Sequence, residues 1–373
     1  MRIHFKTNYK QDLQLFVDWQ TLCYYLIAFL AAASAPFWLG EYLLGEMTYV
    51  LIWVVAGLGL MILVGHTGQV SLGHGAFLAC GAYMQFTLIE NGVPFLLAFP
   101  LAGLFAGVVG ALAAIPALKM SGIYLAIATL AFGIIVEDVI ILLEHWTGGV
   151  EGVYISSIMI FGIDFDRYAG GLEPYAVPGH NFYWLCLAVA LLATLFYRNL
   201  LRSPTGRAFI AIRDSEVSAR AMGVNVARYK TLAFGLSCFF TGLAGALLAH
   251  FLSAFNYEAF LILISIQMLL MVTIGGLGSI HGAWLGAIII GLLPVLITIV
   301  REKISAGLGL GNFTIPGLDQ AVFAAFLIGF IMLEPLGIYG RWVKIRTWFQ
   351  LFPLAKKDMF KRHKSYLKTE RMR

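Results

Sequence analysis

Charged residues are scarce in this chain of 373 residues, of which 12% are Asp, Glu, Lys or Arg and 60% are hydrophobic. Soluble globular domains carry about 25% charged residues, so this composition excludes an ordinary soluble domain. It indicates a protein that is embedded in a lipid bilayer along most of its length. The net charge of +5 comes from the loops and the C-terminal tail. Because membrane topology accounts for such a distribution, we expect no nucleic-acid partner.

Cysteine is also scarce. The four cysteines, Cys23, Cys80, Cys186 and Cys238, lie in or beside apolar runs, and no CxxC motif occurs. This spacing excludes a zinc site or a dithiol redox site built from local sequence. We interpret all four as small apolar packing residues.

Catalytic motifs are missing as well. The sequence contains no GxSxG, no HExxH and no phosphate-binding GxxxxGK[ST]. P-loop ATPases need that last motif to hold the phosphates of ATP, so this chain cannot hydrolyse ATP by that route. We therefore expect a protein that is not an enzyme, with no catalytic residues, no metal site and no cofactor of its own.

Long apolar runs make up most of the sequence. A helix needs about 20 apolar residues to cross about 30 Å of hydrocarbon. The candidate runs are residues 22–38, 43–64, 71–89, 95–117, 122–144, 181–199, 230–254, 259–275, 280–300 and 318–339. We predict an all-α integral membrane protein with about ten transmembrane helices. Residues 259–300 are rich in glycine and contain two short runs, so they could instead form a re-entrant hairpin.

Charge is distributed asymmetrically between the loops. Residues 198–230 hold seven basic residues and two acids, and residues 341–373 hold eleven and two, whereas residues 145–180 hold four acids and one arginine. Cytoplasmic loops carry the excess of Lys and Arg. We predict a cytoplasmic N-terminal segment (1–21), a transmembrane domain (22–340) with an external loop at 145–180 and a cytoplasmic loop at 198–230, and a basic cytoplasmic tail. Ten spans place both termini in the cytoplasm.

The cytoplasmic loop is predicted to contain one short surface helix. Ser203 is suited to cap its N-terminus, with a proline at the first helical position. No helix breaker occurs between Gly206 and Gly223. Gly223 can close the helix in the left-handed conformation, and Asn225 can cap the next helix.

Side-chain spacing indicates that this surface helix docks on a partner. Arg213 and Glu216 are three residues apart and Glu216 and Arg220 are four apart, so both ion pairs fit on one face. Apolar residues recur at helical spacing on a neighbouring face: Phe209, Ile212, Ala219 and Met222. A charged helix followed by a turn and a membrane span is expected to be a docking surface.

The same loop resembles the coupling loop of ABC importer permeases. The run EVSARAMG, from Glu216 to Gly223, is similar to the EAA…G motif with which these permeases seat in a groove of an ATPase subunit. Val217 and Ser218 stand where that motif usually carries alanine after the glutamate. The resemblance implies ATPase coupling for Gly206, Arg207, Arg213, Asp214, Glu216, Ala219 and Gly223.

Further stretches resemble one branch of these importers, the LivM-type permeases for branched-chain amino acids. They are GRAFIAIRD, YKTLAFGLSCFFTGLAGALLA, GQVSLGHGAFLACGAY (68–83), SGIYLAIATLAFG (121–133) and MVTIGGLGSIHGAWLGA (271–287). The resemblance runs from about Gly65 to Gly340. It implies a type II-like permease architecture in the bacterial cytoplasmic (inner) membrane, and ATP-driven import of leucine, isoleucine and valine. The implied partners are a second homologous permease, two ATP-binding subunits that carry Mg-ATP, and an external (periplasmic) substrate-binding protein.

Two alternatives remain open from the sequence. Related permeases carry urea, short amides or aromatic acids, so these are alternative substrates. A self-contained secondary transporter is an alternative of another class, and such proteins usually place Asp, Glu or His at the membrane midplane to bind coupling ions. Residues 231–257 and 259–300 contain no acidic residue, which argues against that class.

Glycine-rich interruptions of the apolar runs are candidates for the substrate pathway. Irregular backbone at membrane depth is tolerated only where protein or a water-filled cavity satisfies it. The pathway candidates are Gln69, Ser71, His74, Thr129, Gly275, Gly276 and Ser279. Packing between helices is the alternative for each of them. The similar words HGAFL at His74 and HGAWL at His281 suggest an internal repeat, whose symmetry stays open.

Overall fold

The structure is a computed structural model that describes residues 19–118, 120, 122–160, 162–165, 179–308, 321, 324–325, 328–329, 332 and 337–351. Most of these residues are helical. The α-helices are α1 (Trp19–Ser34), α2 (Glu41–Leu60), α3 (His74–Glu90), α4 (Phe95–Ala117), α5 (Ile123–Leu142), α6 (Glu144–Thr147), α7 (His180–Arg202), α8 (Pro204–Asp214), α9 (Glu216–Ala221), α10 (Val226–Leu252), α11 (Ile262–Gly275), α12 (Ile280–Leu308) and α13 (Gly337–Leu351).

Three other helical turns extend these elements. A 3₁₀ turn at Ala35–Phe37 follows α1, and another at Tyr257–Phe260 precedes α11. A π-helical turn at Met61–His66 continues α2 without a break. Single π-helical turns inside longer helices occur frequently at functional sites.

Seven helices in the described part of the chain are long and apolar enough to cross a membrane. They are Glu41–His66, Phe95–Pro116, Ile123–Leu142, His180–Arg202, Val226–Leu252, Tyr257–Gly275 and Ile280–Arg301. The apolar helix Leu22–Phe37 is shorter, and α3 has 17 residues. The predicted span 318–339 lies mostly outside the described residues. The count of about ten spans therefore stays a prediction.

Helix α10 occupies the centre of the bundle and packs against α2, α3 and α4. Glycines bring these backbones into direct contact. A Cβ atom on Gly81 of α3 would lie 2.1 Å from the carbonyl oxygen of Gly242, and one on Gly245 would lie 2.0 Å from that of Leu78. On another side, a Cβ on Gly59 of α2 would lie 2.7 Å from the carbonyl oxygen of Ser237. Membrane helices associate through such close packing of small residues.

The predicted external loop, 145–180, contains short strands in its described part. Strand β1 (Val153–Tyr154) pairs antiparallel with β4 (Ala254–Phe255), and β2 (Met159–Ile160) pairs with β3 (Ile163–Asp164). The β1–β4 pair fastens this loop to the end of α10. The all-helical prediction missed these strands because each has two residues, and β1 and β4 pair far apart along the chain.

The two ends of the bundle carry different elements. At one end, Ser156 of the loop after α6 donates to Glu90 at the end of α3, with 3.2 Å between the oxygens. At the other end lie α8 and α9, the π-helical turn, and the turn between α11 and α12. A Cβ on Gly337 of α13 would lie 2.6 Å from the Cα of Gly276, which places the start of α13 at that second end.

Candidate functional site

The charged segment 198–230 contains both predicted N-terminal caps. The Ser203 hydroxyl accepts a hydrogen bond from the Gly206 amide at 3.3 Å and caps α8. The Asn225 side chain accepts one from the Arg228 amide at 3.1 Å and caps α10. Arg207, one turn into α8, is exposed and donates back to the last turn of α7 at 2.9 Å. Both caps are confirmed.

The prediction of one continuous helix over residues 204–222 is wrong. Ser215 has an extended backbone, with φ −164° and ψ 112°. Its hydroxyl accepts a hydrogen bond from the Ser218 amide at 3.2 Å, so Ser215 ends α8 and caps α9. A serine that bonds the first amides of a new helix competes with continuation of the old one. The charged segment is therefore a pair of short helices with a corner between them.

This corner separates the charges that were predicted to pair along one helix. Arg213 contacts Asp214, with its Nε and Nη2 atoms each 3.3 Å from Oδ1. Glu216 instead pairs through Oε1 with the Nζ of Lys230 on α10. The predicted Arg213–Glu216 and Glu216–Arg220 pairs are wrong. Lys230 is buried, and a buried ammonium group needs a counter-charge.

Apolar side chains seat α8 and α9 on the spans. Phe209, Ile212 and Ala219 are buried, as predicted for one face of the helix. The ring of Phe209 packs edge-on against Tyr229 of α10 with 6.3 Å between centroids. Met222, predicted on the same face, is 84% exposed. The prediction fails for Met222 because α9 ends one residue earlier, and the turn that follows directs this side chain outward.

Two large apolar side chains of this segment face away from the bundle. Val217 is 81% exposed and Met222 is 84% exposed, on an element rich in charge. They are the large apolar side chains of the described segment that are most exposed, and we take them as candidate contacts for a partner. Sequence reasoning did not select Val217 and assigned Met222 to the buried face. Their signal in the sequence is an apolar residue at each end of a short charged helix.

Two glycines shape the segment. A Cβ on Gly206 would lie 2.4 Å from the carbonyl oxygen of Leu200, so α8 crosses the end of α7 too closely for any side chain. Gly223 has φ +84°, and its amide donates to the Arg220 carbonyl at 3.0 Å. The left-handed cap predicted at Gly223 is confirmed. Apart from its chain neighbours, no described residue has an atom within 4 Å of a Cβ built at Gly223, so the described structure leaves space beside this cap.

Arg213 connects the charged segment to the interrupted span. Its Nη1 donates to the carbonyl oxygen of Gly65 at 2.9 Å, in the π-helical turn at the end of α2. A Cβ on Gly68 would lie 3.3 Å from Cγ of Arg213, and one on Gly278 would lie 3.1 Å from its Nη1. The Arg213 side chain therefore lies between the end of α2 and the turn that joins α11 to α12.

The predicted span 71–89 begins later than expected, because α3 starts at His74. Just before α3 and in its first turn, two backbone amides donate hydrogen bonds to side chains on other helices. Leu72 donates to the Thr129 hydroxyl at 3.0 Å, and Gly75 donates to the Ser265 hydroxyl at 2.7 Å. Such partners are what irregular backbone at membrane depth requires.

The His74 imidazole lies at the centre of a buried polar cluster. Its Nδ1 is 2.8 Å from the Ser71 hydroxyl and its Nε2 is 2.9 Å from the Ser237 hydroxyl. The structure thus brings the candidates Ser71, His74 and Thr129 together, with Ser237 and Ser265 as partners that sequence reasoning missed. Serine within an apolar helix is their signal. Both imidazole nitrogens have partners, which favours the packing alternative for His74 and Ser71.

Gln69 and His66 differ from that cluster. The Gln69 Nε2 and the His66 Nδ1 are buried and have no hydrogen-bond partner among the residues that the structure describes. The other imidazole nitrogen of His66 is 2.6 Å from the Tyr197 hydroxyl. Buried polar atoms nearly always find a partner, so a water or ligand atom is expected here. His66 was missed from sequence, although it lies in the interrupted word GHTG.

The second group of pathway candidates forms a tight turn between α11 and α12. The Ser279 hydroxyl donates to the Gly276 carbonyl at 3.1 Å and accepts from the Gly282 amide at 2.9 Å. A Cβ on Gly275 would lie 1.8 Å from the carbonyl oxygen of Gly282. The absence of side chains at these glycines thus lets the two helices touch through their backbones.

The two interruptions meet each other. The Gly278 amide is 3.1 Å from the Sδ of Met61, and a Cβ on Gly65 would lie 2.8 Å from the Gly278 nitrogen. The repeat suggested by HGAFL and HGAWL stays a prediction. Within the described residues, no group of three or more His, Cys, Asp or Glu is placed to hold a metal ion.

Long apolar helices, backbone contacts at glycines and a charged helix pair at one end define a multi-pass helical membrane protein. Residues 42–333 match the family model described as branched-chain amino acid transport system / permease component. The chain belongs to this family of permeases, and the LivM-type resemblance is confirmed.

Several permeases of known name are similar to this chain. It is 36% identical over 282 residues to the high-affinity branched-chain amino acid transport system permease protein LivM of Escherichia coli K12. The alignment covers 71% of this chain and 66% of that protein. It is 29% identical over 247 residues to the probable LivM permease of Methanocaldococcus jannaschii, covering 65% and 67%. The probable LivH permease of the same organism is 27% identical over 317 residues, covering 83% and 96%. No solved structure matches the chain.

Proposed function

We propose that this chain is the transmembrane permease subunit of an ATP-driven ABC importer for leucine, isoleucine and valine in the bacterial cytoplasmic membrane. The observation that carries the proposal is the α8–α9 helix pair. It presents Val217 and Met222 to the outside of the bundle, while Arg213 and Glu216 fasten it to the spans. The printed names of the relatives, permeases for branched-chain amino acids, support the substrate class.

The chain needs partners to do work, because its sequence has no phosphate loop. In this proposal two ATP-binding subunits hold Mg-ATP, a second homologous permease completes the pathway, and an external binding protein delivers the amino acid. Closure of the ATP-binding subunits moves α8 and α9 together, since both helices pack on α10 and neighbouring elements through buried side chains. The movement reaches two spans: Glu41–His66 at Gly65, and α10 at its first turns.

The α8–α9 end of the bundle faces the cytoplasm in this proposal, as the charge asymmetry indicates. Contacts along α1 support the same orientation for the N-terminus. The Tyr25 hydroxyl, in the first half of α1, is 2.6 Å from Nε2 of His281 in the first turn of α12. The Tyr183 hydroxyl donates to Ala32 near the other end of α1 at 2.7 Å. The N-terminal helix thus begins at the α8–α9 end, and α13 begins there too.

The pathway candidates take different roles in this proposal. Gln69 and His66 each have a buried nitrogen without a hydrogen-bond partner among the described residues, and in this proposal these nitrogens contact the substrate or water. Ser71, His74 and Thr129 stabilise the irregular backbone before α3 through their hydrogen bonds. The glycines and the serine of the α11–α12 turn, Gly275, Gly276 and Ser279, allow close helix contact.

Purification of the full-length chain from native membranes tests the proposal. ATP-binding subunits should copurify with the wild-type chain, and the reconstituted complex should take up leucine only with ATP. Met222→Asp places a charge on the exposed turn after α9 and should lower the amount of copurified ATP-binding subunit about tenfold or more. Met222→Leu, the matched control, should keep it. A wild-type chain that carries no ATP-binding subunit, or that hydrolyses ATP alone, contradicts the proposal.

A further inference from the structure

We propose that Arg213 transmits the movement of α8 and α9 to both interrupted segments of the bundle, and that it does not itself dock on the ATP-binding subunit. It would be a positioning residue of the transport cycle. The inference rests on the proposed function, since it presupposes that these helices are moved by a partner.

The first support is the carbonyl group that Arg213 holds. The last carbonyls of a helix have no amide partner within it. At the end of the span Glu41–His66, the Leu63 carbonyl accepts from the Thr67 hydroxyl at 2.7 Å and from the Gln69 amide at 3.2 Å. The Gly65 carbonyl accepts from Arg213 at 2.9 Å. A cation at a helix C-terminus is favoured by the helix dipole, and its hydrogen bond is charge-assisted.

The second support is the tight fit of both interruptions around this side chain. Gly68 has φ +70° and Gly278 has φ +80°, conformations that glycine adopts without strain. A Cβ on Gly68 would lie 3.3 Å from the Arg213 side chain, and a Cβ on Gly278 would lie 3.1 Å from it. The end of α2 and the α11–α12 turn therefore both abut the same side chain, and a displacement of Arg213 reaches both.

The third support is the place of Arg213 within its own helix. It is the next-to-last residue of α8 and lies beside the corner at Ser215. Asp214 holds the side of the guanidinium opposite Gly65, with two nitrogens 3.3 Å from its Oδ1. The exposed apolar residues of the segment, Val217 and Met222, belong to the next helix and its turn. Docking and transmission thus fall on different side chains.

The test compares Arg213→Gln, Arg213→Lys and the control Arg228→Gln in the reconstituted complex. Arg228 is an exposed arginine in the first turn of α10, outside both interruptions. Two quantities are measured: the ATP-binding subunit that copurifies, and the leucine transported per ATP hydrolysed. Arg213→Gln should keep the bound subunit yet lower transport per ATP about tenfold or more. Arg213→Lys keeps a cation and should recover part of that ratio, whereas Arg228→Gln should match the wild type.

The ratio separates coupling from folding, because a folding defect lowers transport and ATP hydrolysis in proportion. Normal transport per ATP in Arg213→Gln would overturn the inference and leave the proposed function intact. Loss of the ATP-binding subunit from Arg213→Gln would make Arg213 a docking residue, which also overturns it. If both Arg213 variants fail to insert while Arg228→Gln inserts, Arg213 is a structural tie and the inference fails. Absence of the subunit from the wild-type preparation would instead overturn the proposed function.

Discussion

The ammonium group of Lys230 is bonded to the carboxylate of Glu216 across the junction between α9 and α10. The Lys230 side chain is 9% exposed and the Glu216 side chain is 45% exposed, so the cation is the buried partner. Loss of the carboxylate would leave a buried charge without compensation. Glu216, which the family resemblance assigns to coupling, therefore also fixes α9 on the bundle.

Glu216→Ala is expected to destabilise the protein for this reason. Breaking a buried ion pair costs about 3–5 kcal/mol, and exposure of Glu216 reduces this to roughly 1–2 kcal/mol. The melting temperature in detergent should fall accordingly. Arg220→Ala, in the same helix but not the partner of Glu216, should stay within about 0.5 kcal/mol of the wild type.

A double variant distinguishes this ion pair from a general weakness of α9. Lys230→Met removes the buried cation, so Glu216→Ala should cost far less when combined with it. Equal melting temperatures for Glu216→Ala and the wild type would show that the pair does not stabilise the junction.

Substitutions at Gly223 separate shape from charge. Asparagine and aspartate both tolerate the left-handed conformation better than other side chains, and the described structure leaves space beside Gly223. Gly223→Asn and Gly223→Asp should therefore insert in similar amounts. Only the aspartate brings an anion into the proposed docking turn, so Gly223→Asp should lose transport and part of the bound ATP-binding subunit. Equal transport by the two variants would argue against docking at this turn.

Alanine substitution should lower the stability of the protein at His74 and change the KM for uptake at Gln69. His74→Ala removes two hydrogen bonds from a buried cluster and should cost roughly 1–3 kcal/mol, seen as a lower melting temperature. Gln69→Ala removes an amide whose nitrogen has no partner among the described residues, so stability should change by less than about 1 kcal/mol. Its effect should instead fall on the KM for leucine uptake. A stable His74→Ala protein with altered KM would reverse these assignments.

The orientation of the bundle can be tested by thiol labelling in intact cells. Met222 and Tyr154 are 84% and 82% exposed, at opposite ends of the bundle. In a background in which the half-buried Cys23 and Cys80 are replaced by alanine, Tyr154→Cys should react with an impermeant external reagent. Met222→Cys should react only after the cells are opened. Labelling of Met222→Cys in intact cells would invert the predicted topology.

Local chemistry of this chain was predictable from its sequence, and contacts between distant segments were not. The caps at Ser203, Gly223 and Asn225 depend on neighbouring residues, so the sequence predicts them correctly. The corner at Ser215 was missed because serine is compatible with both a helix interior and a cap. The partner of Glu216 was missed because Lys230 lies on another helix, and local spacing favoured Arg213 and Arg220.

The interrupted segments show the same limit. Glycine-rich words predict irregular backbone near residues 65–74 and 275–279, and the structure has it at both places. That the two interruptions touch, and that Arg213 reaches them, follows from the arrangement of whole helices. Packing of this kind depends on tertiary distances that no local pattern encodes. The hydrogen bond between His74 and Ser237 joins segments that are far apart along the chain, so the sequence left both the packing and the pathway interpretation of Ser71 and His74 open.

The backbone contacts between α3 and α10 limit how this chain can move. A slide by one residue, about 1.5 Å, would replace Gly81 or Gly245 at the contact by a residue with a side chain, and a Cβ there has no room beside the carbonyl oxygens of Gly242 and Leu78. We expect these helices, together with α2 and α4, to move as one unit. We expect deformation to occur in the π-helical turn after α2 and in the turn before α12. Substitutions that change the transport rate of this chain are therefore expected in these two turns, outside the closely packed helices.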